Sequence, residues 1–85
     1  MNPFIKNMYG IFETAEQNNV DIGVGLSMWC HNHGVTTGGA NTHEWQSFVK
    51  KYYSAICKVW VENRSGFSAY VLDLYNNKFK KEENK

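Results

Sequence analysis

Apolar residues near the start of the chain recur with the spacing of an amphipathic helix. Asn2 is a favourable N-cap residue, and Pro3 after it is well tolerated in the first helical turn. Gly10 interrupts the pattern, and we expect another element to pass close to it. The spacing predicts a helix over residues 3–18 with an apolar stripe formed by Phe4, Ile5, Met8, Tyr9, Phe12 and Ala15.

The next segment alternates apolar residues with polar or small ones, which is typical of a half-buried strand. Gly23 and Gly25 lie on the same predicted face, where they leave room for another backbone or a helix. Asn32-His33-Gly34 predicts a tight turn, and residues 35–37 predict a short second strand that returns beside the first. The strand is predicted over residues 20–30, with its apolar face formed by Val20, Ile22, Val24, Leu26, Met28 and Cys30.

A second helix follows a flexible connector at residues 38–41. We expect it to begin near Thr42, with Thr42 itself or Asn41 together with Glu44 as the cap. The helical spacing continues to about residue 58, and polar residues occupy the opposite side. The buried stripe is predicted to contain Trp45, Phe48, Val49, Tyr52, Ile56, Val59 and Trp60.

Residues 59–75 fit two structures. In one they form a hairpin with Gly66 in a left-handed position of its loop. In the other Gly66 closes the second helix, and a third helix follows with a stripe of Phe67, Tyr70, Val71, Leu74 and Phe79. The predicted fold class is therefore α+β, a small antiparallel sheet packed against two or three helices. We expect one compact domain over residues 1–77 and a charged, flexible tail over residues 78–85.

Length, charge and cysteine content narrow the functional classes. The 85 residues make a single domain, and a net charge of +1 gives no strong general attraction for nucleic acid or acidic membranes. No apolar stretch is long enough to span a bilayer or to form a signal peptide. Cys30 and Cys57 are fewer cysteines than a small secreted domain usually carries. We therefore expect a cytoplasmic protein without membrane contact.

One cysteine and all three histidines lie close together in the sequence, and Cys30 and His33 have a spacing that zinc sites use. In the predicted strand, however, Cys30 points away from His31 and His33. Cys57 is fourteen residues along the second helix from His43, roughly 21 Å away. We therefore expect no metal and no cofactor. A Cys30 nucleophile with a histidine base is a weak alternative, because no third residue is indicated.

The chain contains thirteen aromatic residues, more than one small core needs, and surplus Trp and Tyr at a surface are typical of interaction hot spots. We expect a partner-binding surface formed by Trp29, His31, His33 and His43. The favoured function is a non-enzymatic interaction protein that binds and modulates a protein partner. The alternative is a small RNA- or DNA-binding module that uses Lys50, Lys51, Tyr53, Lys58 and Arg64.

Two further expectations concern origin and assembly. Eight lysines against one arginine, with ten asparagines, are typical of genomes rich in A and T. This bias favours a phage or mobile-element accessory factor that inhibits a host protein. A sheet of two strands is marginal in water and has open edges, so we expect a homodimer in which two sheets pair across a two-fold axis.

Overall fold

The computed structural model describes residues 3–35 and 40–83, and every regular element in these two ranges is helical. No strand occurs in the described part of the chain, so the predicted α+β fold is wrong and the protein is a small all-α bundle. The helices are α1 (Pro3–Gln17), α2 (Ile22–Asn32), α3 (Ala40–Lys51), α4 (Tyr53–Glu62), α5 (Phe67–Leu74) and α6 (Lys80–Glu83). A 3₁₀ turn, Arg64–Gly66, precedes α5, and a π-helical segment, Tyr75–Phe79, follows it.

The first predicted helix is confirmed as α1, and it ends in a Schellman motif. Asn19 takes the left-handed conformation with φ of 54°. The Val20 N–H donates to the Ala15 carbonyl at 3.0 Å, and the Asn19 N–H donates to the Glu16 carbonyl at 3.2 Å. These bonds satisfy carbonyls of the last helical turn and reverse the chain toward α2.

The segment predicted as a strand over residues 20–30 instead contains the N-cap of α2 and most of that helix. Asp21 caps the helix, because its Oδ1 accepts a hydrogen bond from the Val24 N–H at 2.8 Å. The buried residues have helical spacing, whereas Val24, an apolar position of the predicted strand, is 44% exposed. The alternation therefore does not describe the buried face, which consists of Gly25, Leu26, Trp29 and Cys30.

The predicted turn at residues 32–34 closes α2 rather than a hairpin. Gly34 has φ of +67°, and the Val35 N–H donates to the Cys30 carbonyl at 2.9 Å. These are the features of a glycine-terminated helix. Val35 belongs to no strand, and residues 36 and 37 of the predicted second strand lie outside the described residues.

Small residues bring α1 and α2 into close contact. A Cβ atom on Gly25 would lie 2.6 Å from the Ala15 Cβ and 3.1 Å from the Ala15 Cα, so the two backbones nearly touch. At Gly10 a Cβ atom would lie 2.8 Å from the Trp29 Nε1. The expectation that another element passes close to Gly10 is confirmed, and that element is α2.

The second predicted helix is divided in two. Tyr52 leaves helical geometry, with φ of −115° and ψ of 26°, and separates α3 from α4. The predicted stripe is nevertheless confirmed, because Trp45, Phe48, Val49, Ile56 and Trp60 are buried, with Tyr52 and Val59 packed partly against the core.

Of the two structures that residues 59–75 fit, the helical one is correct and the hairpin is wrong. Gly66 neither takes the left-handed conformation of the hairpin loop nor closes the second helix, since its φ is −97° and α4 ends at Glu62. The helical path continues through the π segment to Glu83, and Phe79 is buried. Of the predicted third-helix stripe, Tyr70 alone is exposed; Phe67, Val71, Leu74 and Phe79 are buried.

Aromatic rings form two clusters in the core. Tyr9, Phe12, Trp60 and Phe67 contact one another and join α1, α4 and α5, with the Trp60 and Phe67 ring centroids 4.9 Å apart. The second cluster joins α3 to the π segment and consists of Phe48, Tyr52, Tyr75 and Phe79. Among the described helices, none combines the length and the apolar character needed to cross a membrane.

Candidate functional site

The predicted cysteine and histidine cluster is dispersed around the end of α2. Cys30 is buried, and that burial raises the pKa of its thiol above the ordinary value. The ring of His33 stacks on that of Trp29, with centroids 4.2 Å apart, and its Nδ1 donates to the Trp29 carbonyl at 2.9 Å. His31 is exposed on the same helix.

Two further residues of the predicted partner surface lie in different surroundings. Trp29 is buried against α1 at Gly10, and His43 is exposed in the first turns of α3. Within the described ranges, no group of three His, Cys, Asp or Glu side chains has the geometry to hold a metal ion. Residues 36–39, which connect these positions, lie outside the described residues.

Three glutamates each join two parts of the chain in the same way. Each carboxylate accepts a hydrogen bond from an aromatic N–H or O–H and faces a cation that lies over that same aromatic ring. We call these contacts the glutamate clasps: Glu16 with Trp60 and Arg64, Glu44 with Tyr75 and Lys80, and Glu82 with Tyr52 and Lys51.

The Glu16 clasp ties α1 to α4 and the 3₁₀ turn. The Trp60 Nε1–H donates to Glu16 at 3.2 Å, and the two terminal nitrogens of Arg64 donate to its two oxygens at 3.3 and 2.8 Å. The guanidinium carbon of Arg64 lies 3.6 Å from the centre of the Trp60 ring. This geometry combines a bidentate ion pair with a cation–π contact.

The other two clasps attach the C-terminal segment to α3. The Tyr75 hydroxyl donates to Glu44, and burial together with this bond raises the pKa of Tyr75 above its ordinary value of 10.0. Tyr75 and Glu44 in turn raise the pKa of Lys80.

At the end of α3, the third clasp engages α6. The Tyr52 hydroxyl donates to Glu82 at 2.9 Å, and Lys51 pairs with the same carboxylate.

The clasps reduce the number of unpaired cations on the surface predicted to bind nucleic acid. Lys51 and Arg64, two of its five residues, are each paired with a carboxylate of the same chain. Lys50 and Lys58 are exposed, and neither takes part in an ion pair among the described residues. Tyr53 is 50% exposed, and its pKa is raised first by a hydrogen bond with Cys57 and the charge of that thiol, then by partial burial and the charge of Asp21.

A different surface, formed by α4 and α5, presents exposed apolar groups. An open groove of about 490 Å³ lies between these helices and is lined by Ala55, Lys58, Val59, Glu62, Asn63 and Tyr70. Val61 is 76% exposed on the neighbouring side of α4, and Tyr70 is 41% exposed on α5. We call Val61 together with the groove the α4–α5 surface.

Sequence reasoning missed the α4–α5 surface. It assigned Val59 to the buried stripe of the second helix and left residues 59–75 with two alternatives, so no groove between two helices was indicated. The available signal was the spacing of Ala55, Lys58, Val59 and Glu62, which places these four residues on one side of a helix, with Val59 at the border of the buried face.

Comparison with known proteins identifies no relative. The chain matches no protein-family model, and no curated protein or solved structure is significantly similar to it.

Proposed function

We propose that this protein is a protein-binding helical domain that contacts its partner through the α4–α5 surface. The observation that carries the proposal is the exposure of Val61, which is 76% exposed beside an open groove bordered by Tyr70. Exposed apolar side chains next to a concave surface are typical of protein interaction sites, where a tyrosine or an aliphatic side chain anchors the contact.

The charges favour a protein partner over nucleic acid. Binding to phosphates needs several uncommitted cations, and Lys51 and Arg64 are engaged by Glu82 and Glu16. The groove itself contains one cation and one anion, Lys58 and Glu62. The free thiols of Cys30 and Cys57 support a cytoplasmic site of action.

Affinity capture from the native host with matched variants tests the proposal. Val61→Glu places a charge on the α4–α5 surface, and Val24→Glu places the same charge on an exposed apolar position of α2. We expect Val61→Glu to abolish capture of the partner and Val24→Glu to retain it. Circular dichroism checks that both variants keep the helical content of the wild type.

Two outcomes would contradict the proposal. Retention of the partner by Val61→Glu would show that the α4–α5 surface is not the contact. Recovery of RNA or DNA that falls steeply with salt and is lost in Lys50→Glu would support the nucleic-acid alternative, because phosphate contacts release counterions.

A further inference from the structure

The groove-lining face of α4 carries two opposite charges one helical turn apart. Lys58 and Glu62 both line the groove, and neither joins an ion pair among the described residues. Within one helix, lysine placed four residues before glutamate is the weaker of the two orientations for such a pair. Both charges are therefore available to a partner.

The arrangement of Lys58 and Glu62 is self-complementary, because two copies of the same face can pair each lysine with a glutamate. If a second copy of α4 packs antiparallel to the first across a two-fold axis at the level of Trp60, Lys58 of each copy faces Glu62 of the other. One helix thus supplies two intermolecular ion pairs, as an isologous interface requires. A parallel arrangement would place like charges opposite each other and is disfavoured.

The apolar residues of this face suit a close approach of two helices. Ala55 is small, and Val59 is one turn away on the same side, so two α4 helices can approach with their charged residues at the edges of the contact. Val61 lies next to Lys58 around the helix, at the charged edge of this face, and is 76% exposed.

We propose that the partner of the α4–α5 surface is a second copy of this chain, packed with its α4 antiparallel across a two-fold axis. This inference rests on the proposed function, because it names the occupant of the same surface. The helix α4 has ten residues and is about 15 Å long, so the contact is small. We expect a dimer that dissociates in the micromolar range.

Sedimentation of charge-reversed variants tests the arrangement. Lys58→Glu makes the face acidic and Glu62→Lys makes it basic, so we expect each variant alone to dimerise at least about tenfold more weakly than the wild type. An equimolar mixture of the two variants restores both ion pairs and should dimerise again. Recovery in the mixture also shows that both variants are folded. Lys50→Glu, the same charge change on α3, should leave the dimer intact.

The possible failures are distinguishable. A wild-type protein that stays monomeric at every concentration overturns this inference, but the proposed function stands if capture of another protein still depends on Val61. A wild-type dimer that Lys58→Glu does not weaken, or a mixture that does not recover, places the dimer contact on another face and also overturns the inference. In a third outcome, the charge-reversed variants behave as expected but capture of another protein does not depend on Val61. That outcome overturns the proposal that the α4–α5 surface binds other proteins, and the inferred dimer stands.

Discussion

The α1–α2 hairpin and the C-terminal segment, Tyr75–Phe79 with α6, are attached to the bundle by different physical means. In the hairpin, Gly25 lies against Ala15 so closely that no side-chain atom fits between the backbones. The C-terminal segment is attached by polar groups, since Tyr75 and Lys80 contact Glu44 of α3 and Glu82 pairs with Lys51 at the end of α3. It also buries Phe79 against Phe48.

Because of this difference, we expect the stability of the two regions to respond to different changes. Close packing of backbones depends on side-chain volume, so the hairpin should respond to added atoms and little to pH or salt. Hydrogen bonds and ion pairs depend on protonation and screening, so the C-terminal segment should respond to both. Four substitutions test this contrast, Gly25→Ala, Tyr75→Phe, Gly34→Ala and Glu16→Gln, and two further ones, Gly23→Ala and Gly34→Asn, serve as controls.

The largest expected effect is that of Gly25→Ala. The new Cβ would lie 2.6 Å from the Ala15 Cβ and 3.2 Å from the Ala15 backbone nitrogen, so α1 and α2 must move apart. We expect the free energy of unfolding to fall by about 2 kcal/mol net of the higher helix propensity of alanine. Urea denaturation measures the loss.

Gly23→Ala is the matched control two residues earlier in the same helix. Among the described residues, a Cβ atom there meets only the Asp21 Oδ1, at an ordinary contact distance of 3.4 Å. The substitution should stabilise the protein by up to about 1 kcal/mol, because alanine favours the helix. Equal effects at the two glycines would show that helix propensity, and not the contact with α1, governs this hairpin.

The sequence predicted α1 and the stripe of α3 and α4 because those segments have both helical spacing and ordinary apolar residues. The prediction was wrong at α2 because aliphatic residues alternate there with Gly23, Gly25 and other small or polar residues. This alternation has the period of two that is typical of a strand. Asp21 as an N-cap and Gly34 as a terminating glycine were the local signals for a helix there. The prediction gave more weight to the alternation than to these two signals. The contact of Gly25 with Ala15 could not be predicted because it depends on tertiary packing.

The candidate site was less accessible to sequence reasoning than the fold. Each clasp joins a glutamate to residues at least thirty positions away, such as Glu44 to Tyr75, and no local pattern indicates such pairs. The same limitation led the basic residues Lys51 and Arg64 to be grouped as a surface for nucleic acid, although each has a carboxylate partner from a distant helix. Trp29 was assigned to an exposed face because the strand prediction placed it opposite the core.

The second substitution, Tyr75→Phe, removes the hydroxyl that donates to Glu44. We expect a loss of about 1.5 kcal/mol near neutral pH, because a hydrogen bond to a carboxylate is lost from a buried side chain. Thermal unfolding should show a lower midpoint than that of the wild type. The circular dichroism spectrum of the folded variant near neutral pH should change little.

The pH dependence of the same pair of proteins gives a sharper test. Folding raises the pKa of Tyr75 above 10.0, so the folded state binds this proton more tightly than the unfolded chain does. The contribution of Tyr75 to stability is therefore constant below about pH 10 and falls as the pH rises through the folded pKa. Stability of the wild type should decline above this pH more steeply than that of Tyr75→Phe. Equal slopes would show that Tyr75 does not link this segment to pH.

The third substitution, Gly34→Ala, concerns the end of the hairpin. Gly34 has φ of +67°, and a Cβ atom placed on it would meet no atom of the described residues within 4 Å, so we attribute the penalty to backbone conformation. We expect a loss of about 1 kcal/mol. Gly34→Asn should be milder, because asparagine tolerates this conformation, as Asn19 does at the end of α1. A loss in Gly34→Asn as large as that in Gly34→Ala would argue against this explanation.

The smallest effect is expected for Glu16→Gln, which weakens the one clasp that touches the hairpin. Glutamine keeps an oxygen that can accept from the Trp60 Nε1–H, and Arg64 still donates its Nε–H to the Trp60 carbonyl at 2.8 Å. The lost ion pair is partly exposed, with side-chain exposure of 52% for Glu16 and 38% for Arg64. We therefore expect a loss of about 0.5 kcal/mol at low salt that shrinks at high salt, measured by urea denaturation at both. A loss larger than that of Gly25→Ala, or one that salt does not reduce, would mean that polar contacts hold the hairpin as firmly as close packing does.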